Sequence, residues 1–317
     1  MNIKSVCLIG GSGFLGRHVA ELLSARGIAV RVPTRLRERA KDQLILLPTV
    51  EVVQADIHDP AVLQTMIEGC DAVVNLVGVL HDVRGNGFQR NHVELPARIV
   101  SACRDAGVHR LVHVSAVGAA SDAPSEYLRS KARGEAEITR AGSHGIRITI
   151  LRPSVIFGRG DRFLTVFAQL ARLFPVLPLG CANARFQPVF VEDVAGAIFR
   201  AIDEPGTFGK CFDLCGPKVY TLRELVELSA RTVGLKANVI PLPPFLATLQ
   251  AAVLEHLPGR LMSRDNVKSM AVDNVCGCGF PPILGPAPTA LESVAPLYLG
   301  QHRSRARYND FRYRAGR

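Results

Sequence analysis

The sequence contains no uninterrupted apolar run of about 18 residues, the minimum for a membrane-spanning helix, so none is predicted. It also lacks internal repeats and low-complexity linkers, and nothing in it announces a repeat architecture. Met1-Asn2-Ile3-Lys4 leads at once into an apolar strand, so no signal peptide is expected. Eight cysteines are scattered through apolar runs with no framework spacing, which reads as a reducing cytosol. No H-E-x-x-H pattern accompanies His81, His92, His109, His113 and His144, which are read as satisfied or exposed side chains. Cys211-x3-Cys215 on a strand with a distant Cys276-Gly277-Cys278 is not a zinc spacing, so no metal centre is expected.

Charge is present in excess but unevenly. The formal net charge is +10 over 317 residues, and residues 302–317 set six arginines against Asp310 alone. The body is therefore only mildly basic. The tail, residues 301–317, reads as a solvated basic segment suited to an anionic membrane surface or an acidic protein, with no nucleic-acid partner expected.

What the sequence does have begins at once. Ser5 to Ile9 is a short apolar run of strand character, followed by Gly10, Gly11, Ser12, Gly13, Phe14, Leu15 and Gly16, and then by amphipathic spacing from Arg17 to Arg26. A strand, a G-x-x-G-x-x-G loop and a helix in that order form a dinucleotide cradle. Missing Cβ atoms let the backbone approach a pyrophosphate, and the helix start offers free N–H groups. About 20 residues on, where an NAD site places a carboxylate for the ribose 2′-hydroxyl, there is no Asp or Glu between Ile28 and Arg37. Arg35 stands there instead, with Arg17 and Arg37 near in sequence, which predicts a 2′-phosphate clamp and NADPH or NADP in preference to NAD.

Strand and helix patterns then alternate. Strands are predicted at Ile28–Val32 (ended by Pro33), Glu51–Ala55, Ala72–Leu76 continuing to Val79, Arg110–Ser115 and Arg147–Leu151. Helices are predicted over 60–69, 91–106 and 125–141. This predicts an α/β fold, a Rossmann-type doubly wound parallel sheet, over residues 1–158. A smaller C-terminal α/β lobe is expected over 159–300, partly interleaved with the sheet. Helices there are expected over 161–173 and 192–202, with a strand at Lys210–Leu214. Thr221-x-x-Glu224 is a capping box opening a helix to about Val233, and Asp193 is expected to N-cap a helix starting at Val194. An apolar helix from Phe245 to Leu257 is too short to span a membrane, and a last helix opens at Thr289.

The motifs resemble an extended, atypical short-chain dehydrogenase/reductase. They are the glycine loop, Asp56-Ile57, Asn75-Leu76-Val77-Gly78, Tyr127-x-x-x-Lys131 and Arg152-Pro153-Ser154. The longer strings around Tyr127, around Arg152 to Gly158, at Asp161–Leu164, from Arg185 to Ala195 and at Ser263–Val267 narrow the match. They resemble the NADPH-binding accessory subunit of respiratory complex I and its bacterial relatives, over roughly residues 3–300. The resemblance implies that Asp56, Ile57, Leu76, Val77, Gly78, Pro153, Ser154 and Val155 line the cofactor beside the glycine loop and Arg35. It also implies a role associated with complex I or quinone metabolism, in the cytoplasm or at the inner face of the plasma membrane.

Tyr127 and Lys131 lie one helical turn apart on one face. An ammonium near a phenol is expected to lower the tyrosine pKa, and the same lysine can hold the nicotinamide ribose. The resemblance makes this pair, with a hydroxyl donor, the catalytic set. Active relatives carry that hydroxyl one or two positions beyond Ser115, where this chain has Ala116 and Val117. Ser115, or Ser121 from the loop, stands in for it, which implies retained nucleotide binding with slow or lost turnover. An active reductase, epimerase or dehydratase using Tyr127 and Lys131 is the alternative expectation.

Overall fold

The computed structural model describes residues 3–82, 85–142, 145–256, 262–300 and Arg312. His144 and the basic tail, Arg312 apart, lie outside the described residues. In chain order the first elements are β1 (Ser5–Ile9), α1 (Phe14–Ala25), β2 (Ala29–Thr34), α2 (Arg37–Leu44), β3 (Val50–Gln54), α3 (Pro60–Ile67) and β4 (Ala72–Asn75). A π-helical turn, Gln89–Glu94, runs into α4 (Leu95–Asp105), then β5 (Arg110–Val114), α5 (Glu126–Gly142) and β6 (Arg147–Pro153). Next come β7 (Ile156–Phe157), α6 (Phe163–Leu173), β8 (Val176–Leu179), β9 (Arg185–Phe186), β10 (Val189–Phe190), α7 (Val191–Asp203) and β11 (Lys210–Leu214). The chain ends through β12 (Tyr220–Thr221), α8 (Leu222–Thr232), β13 (Asn238–Pro241), α9 (Pro244–Leu254), α10 (Arg264–Ser269) and α11 (Leu291–Leu299).

The described residues form two compact units. The first takes the chain up to Pro153 and adds Val191–Leu214 and Phe280–Pro286. Its seven strands pair in the order β11-β6-β5-β4-β1-β2-β3, all parallel. This is the doubly wound Rossmann-type sheet expected from the alternating pattern. The order reverses between β1 and β4, which is the topological switch point where such sheets bind ligands. Apolar side chains of β1, β4, β5 and β6 pack with those of α3, α4 and α5 into one core. Helices α1 and α7 lie together against the same unit, with Arg26 over the Phe199 ring at 4.9 Å.

Arg110, fully buried at the start of β5, ties α7 to the sheet. Its guanidinium donates to the Ile202 carbonyl at 3.1 Å and to the Ala201 carbonyl at the C-terminal end of α7. It also reaches the Leu111 and Arg147 carbonyls and Thr149 Oγ1, and it stacks over the Phe208 ring. Helix-end carbonyls lack intrahelical donors and carry partial negative charge, so a cation there satisfies both needs.

The second unit comprises Ser154–Phe190, Cys215–Gly279 and the chain from Ala287. Three two-stranded pairs, β7 with β10, β9 with β12 and β8 with β13, frame helices α6, α8, α9, α10 and α11. The Thr221/Glu224 capping box forms as expected and opens α8. Asp161, buried before α6, accepts from Gly158 N–H, Thr165 N–H and the Tyr298 hydroxyl, the last at 2.5 Å, which docks α11.

Several sequence expectations give way to local chemistry. Pro33 does not end β2. The pairing of β2 with β1 stops at Arg31, so the missing N–H two residues later costs no bond on that side. Strand β4 stops at Asn75 instead of running to Val79, because Asn75 Oδ1 accepts the Val77 N–H in an Asx-type turn. The helix expected over 91–106 is broken in register: Pro96 supplies no N–H, and the preceding turn is π-helical. Asp193 is not an N-cap, since α7 begins at Val191 and places Glu192 and Asp193 in its first turn, where their negative charges complement the positive end of the helix dipole. Cys215 is no ordinary strand thiol: it forms a disulfide with Cys276, 61 residues on, with a Cα separation of 6.0 Å. Nothing in their spacing marks the two as partners.

Candidate functional site

The candidate site is built along the C-terminal ends of the sheet strands in the first unit. Strand β1 is followed by Gly10, whose φ of +85° is left-handed, and a Cβ there would sit 3.2 Å from the Leu76 carbonyl carbon and the Val77 nitrogen. The loop after β1 thus lies directly on the segment that follows β4. Gly16, in the first turn of α1, has no room for a side chain: a Cβ would collide with the Gly10 carbonyl and Gly11 Cα. Gly13 is the N-cap residue and offers no side-chain cap, so the first-turn N–H groups receive none from it. Phe14 and Leu15, read from sequence as loop, are the first residues of the helix. Ser12 Oγ lies 3.5 Å from Thr34 Oγ1, joining the loop to the end of β2.

Arg35 is exposed just past β2. Arg37 is committed elsewhere, its Nε donating to the Val52 carbonyl at 3.1 Å and a guanidinium nitrogen lying 3.4 Å from Glu38. Asp56 and Ile57 follow β3, and Asp56 Oδ1 accepts the His58 N–H at 3.1 Å. Leu76, Val77 and Gly78 follow β4. The segments that follow β1, β2, β3 and β4 thus all leave the parallel sheet at the C-terminal ends of their strands.

Ser115 follows β5, where its N–H donates to the Leu151 carbonyl at 2.7 Å. Its hydroxyl is buried and has no hydrogen-bond partner among the described residues. Lys131, 4% exposed on α5, spans the ends of β4 and β5, its ammonium donating to the Val77 carbonyl at 3.4 Å and the Val114 carbonyl at 3.3 Å. Burial pulls the ammonium down to about 8, partly countered by the Glu135 carboxylate one turn on. Glu135 itself is clamped by Arg152 of β6, with Nε to Oε1 at 2.8 Å.

Tyr127 departs from expectation. Its phenol is pushed up to about 12 by burial, not lowered by Lys131, whose ammonium is turned to the two backbone carbonyls. At neutral pH the phenol keeps its proton and is a donor. Its ring stands edge-on to Phe88 and His92, at centroid distances of 6.1 and 5.6 Å.

Sequence reading did not connect the polar chain behind that ring. His92 Nε2 accepts the Val79 N–H at 3.0 Å, which leaves the proton on Nδ1 to be donated to Ser130 Oγ at 2.8 Å. Ser130 in turn donates to the Tyr127 carbonyl at 2.7 Å. Asn75 Nδ2 meets His113 Nδ1 at 3.0 Å, so His113 carries its proton on Nε2. Burial, reinforced by the Lys131 charge, holds His92 down to about 2 and His113 to about 3, so both rings are neutral. The only cue in the sequence was a polar Asn closing an otherwise apolar strand.

Pro153 ends β6, and its carbonyl accepts the Val117 N–H. Ser154 and Val155 belong to the second unit, where Ser154 Oγ and the Val155 N–H both reach Asn274 Oδ1, at 2.6 and 2.9 Å. Among the described residues no group of His, Cys, Asp and Glu could hold a metal ion, and no helix is long and apolar enough to cross a membrane.

Comparison with known proteins adds relatives to this geometry. The chain is 32% identical over 305 residues to the mouse (Mus musculus) mitochondrial NADH dehydrogenase [ubiquinone] 1 alpha subcomplex subunit 9, covering 94% of this chain and 80% of that one. It is 28% identical to the Neurospora crassa NADH-ubiquinone oxidoreductase 40 kDa subunit, over 95% and 80% of the two chains. A ceramide reductase of Caulobacter vibrioides is 30% identical over 249 residues, 78% of this chain and 77% of that one. Among solved structures, a Staphylococcus aureus nucleoside-diphosphate-sugar epimerase superposes with a TM-score of 0.73 at 19% identity, covering 93% and 99%. MoeE5 in complex with UDP-glucose and NAD does so at 0.71 and 18%, covering 95% and 99%; both likenesses are of fold. Residues 6–214, two thirds of the sequence, match one family directly, and the chain belongs to the NAD dependent epimerase/dehydratase family, alongside the complex I subunit 9 proteins.

Proposed function

We propose that the chain is an NADP(H)-holding accessory subunit of a complex I-type NADH:ubiquinone oxidoreductase, in which the nucleotide is a structural or regulatory element. The observation that carries this reading is the reach of the match to the mouse subunit. The family match ends at Leu214, whereas that relative covers 94% of the chain and so runs through the second unit as well. The test is capture of the full chain from detergent-solubilised membranes of its own cells. Respiratory subunits recovered with it in constant proportion are expected; recovery free of them would count decisively against the assignment. The basic segment 302–317 is proposed to add a membrane-surface contact.

The residues fit a dinucleotide. Gly10 and Gly16 let the loop backbone pack directly on the Leu76-Val77 segment and on the first turn of α1, and the uncapped start of α1 suits a pyrophosphate. Arg35 is the proposed 2′-phosphate clamp, with Arg17 near the loop and Arg37 already held by Val52 and Glu38. Lys131 is the proposed holder of the nicotinamide ribose, and Asp56, Ile57, Leu76, Val77, Gly78 and Pro153 are the proposed lining within the first unit.

A second reading, an active reductase, is favoured by the ceramide reductase relative and by the protonated Tyr127 phenol. A bound NADPH supplies hydride; Tyr127 supplies the proton to a carbonyl oxygen, and Lys131 and Ser115 position the reacting groups. Carbonyl-dependent loss of NADPH absorbance that disappears in Tyr127→Phe is expected of this reading alone. The accessory reading expects none above background.

A further inference from the structure

The segment between α10 and the first unit's Phe280 has no helix or strand of its own. Ala271, Val272, Asp273, Gly277, Cys278 and Gly279 are exposed. What holds it is a short series of polar bonds and one covalent tie. The Asn274 N–H donates to the Arg185 carbonyl at 2.9 Å, and Gln187 N–H donates back to the Asn274 carbonyl at 3.0 Å. Asn274 Oδ1 accepts from Ser154 and Val155, and the Cys276 N–H donates to Gln187 Oε1 at 3.0 Å. The covalent tie is Cys276 to Cys215, just past β11.

The two sulfurs are not equivalent. Cys215 is 1% exposed, whereas Cys276 is half-buried and two residues from Cys278, an exposed free thiol. Cys276 is therefore the more exposed half of the bond, and attack there makes Cys215 the leaving group. The sequence carries no other sign of an oxidising compartment, and six cysteines remain free. In a reducing compartment a single accessible disulfide is a reversible element, not a permanent staple.

We propose that Cys276 is a thiol–disulfide exchange site, and that its bond to Cys215 is a redox-controlled clasp holding the Asn274 segment on Ser154 and Val155. Opening consumes a dithiol reductant. One thiolate attacks the Cys276 sulfur, the S–S bond breaks, and Cys215 leaves as a thiolate that takes a proton. The second reductant thiol then displaces Cys276, so the dithiol becomes a cyclic disulfide and the protein gains two thiols. Closing is the reverse exchange with a small disulfide such as oxidised glutathione, which is reduced to two thiols. With the clasp open, only the polar bonds hold residues 272–279, and exposed bonds of that kind open easily.

The test uses the full-length protein equilibrated with oxidised glutathione or with dithiothreitol. Thiols are counted by maleimide mass shift after denaturation, and amide exchange is followed across the chain. The proposal expects six thiols in the first state and eight in the second. It also expects exchange at residues 272–279 and at Val155 to rise at least tenfold on reduction and to return on reoxidation. In Cys215→Ser the exchange should match the reduced protein in both conditions, and Cys278→Ser should keep the switch. Eight thiols in both states, or equal exchange in both, would overturn it.

Discussion

At the scale of single residues, the first unit rests on buried polar groups whose charge states are fixed by burial. His92 and His113 are neutral in the fold because burial lowers them from 6.5 to about 2 and about 3. Below pH 6.5 the unfolded chain binds protons that the folded chain refuses, so stability falls as the pH falls toward the folded values. Each ring costs about 1.4 kcal/mol per pH unit in that window, or about 4 kcal/mol for the pair between pH 7 and pH 5. Urea unfolding across that range should show the loss, and His92→Gln should remove about half of this contribution. An unchanged pH slope in the variant would mean His92 is not held neutral. Arg110 invites a sharper test. Arg110→Met keeps the volume but orphans the carbonyls of Ala201, Ile202 and Arg147, and should cost about 3 kcal/mol or more. A cost below about 1 kcal/mol would show that water replaces the guanidinium.

At the scale of elements, two helical glycines make opposite predictions. Gly16 meets the loop backbone, so Gly16→Ala should destabilise the protein and weaken nucleotide binding together. Gly196, inside α7, has open space around it, and Gly196→Ala should stabilise by about 0.5–1 kcal/mol through helix propensity alone. Thermal melts of the two variants should shift in opposite directions. The same elements show what was legible in the sequence. Apolar runs with β-branched residues marked β1, β4, β5 and β6, because a strand buried on both faces leaves no alternative pattern. Thr221 and Glu224 gave α8, since a capping box is local chemistry. The π-helical turn before α4, the Asx turn at Asn75 and the start of α7 at Val191 were missed. The first two depend on one missing or redirected hydrogen bond, which periodicity does not register. The glycine loop, Tyr127 and Lys131 were visible as motifs, while the His92–Ser130 and Asn75–His113 contacts join residues 38 apart and leave no sequence trace.

At the scale of the molecule, the chain leaves its first unit at Pro153 and returns to it twice, for α7 and β11 and again for Phe280–Pro286. The Lys210–Leu214 strand was recognisable, but its place as the seventh strand of the sheet was not, because parallel partners are set by topology and not by local sequence. The disulfide was invisible for the same reason. Cofactor preference belongs to this scale too. Arg35→Ala should weaken NADPH at least tenfold while leaving NADH within about twofold, because only NADPH presents a 2′-phosphate for a charge-assisted bond worth roughly 1.5–3 kcal/mol. Equal losses for both, by isothermal titration, would remove Arg35 from the clamp. The most direct measurement is the nucleotide content of the native protein: purify the full chain without added cofactor, denature it, and identify and time the exchange of what it releases. The account predicts about one NADPH per chain, exchanging over hours as a structural or sensing group does. A protein that releases no nucleotide and binds none on titration would contradict it.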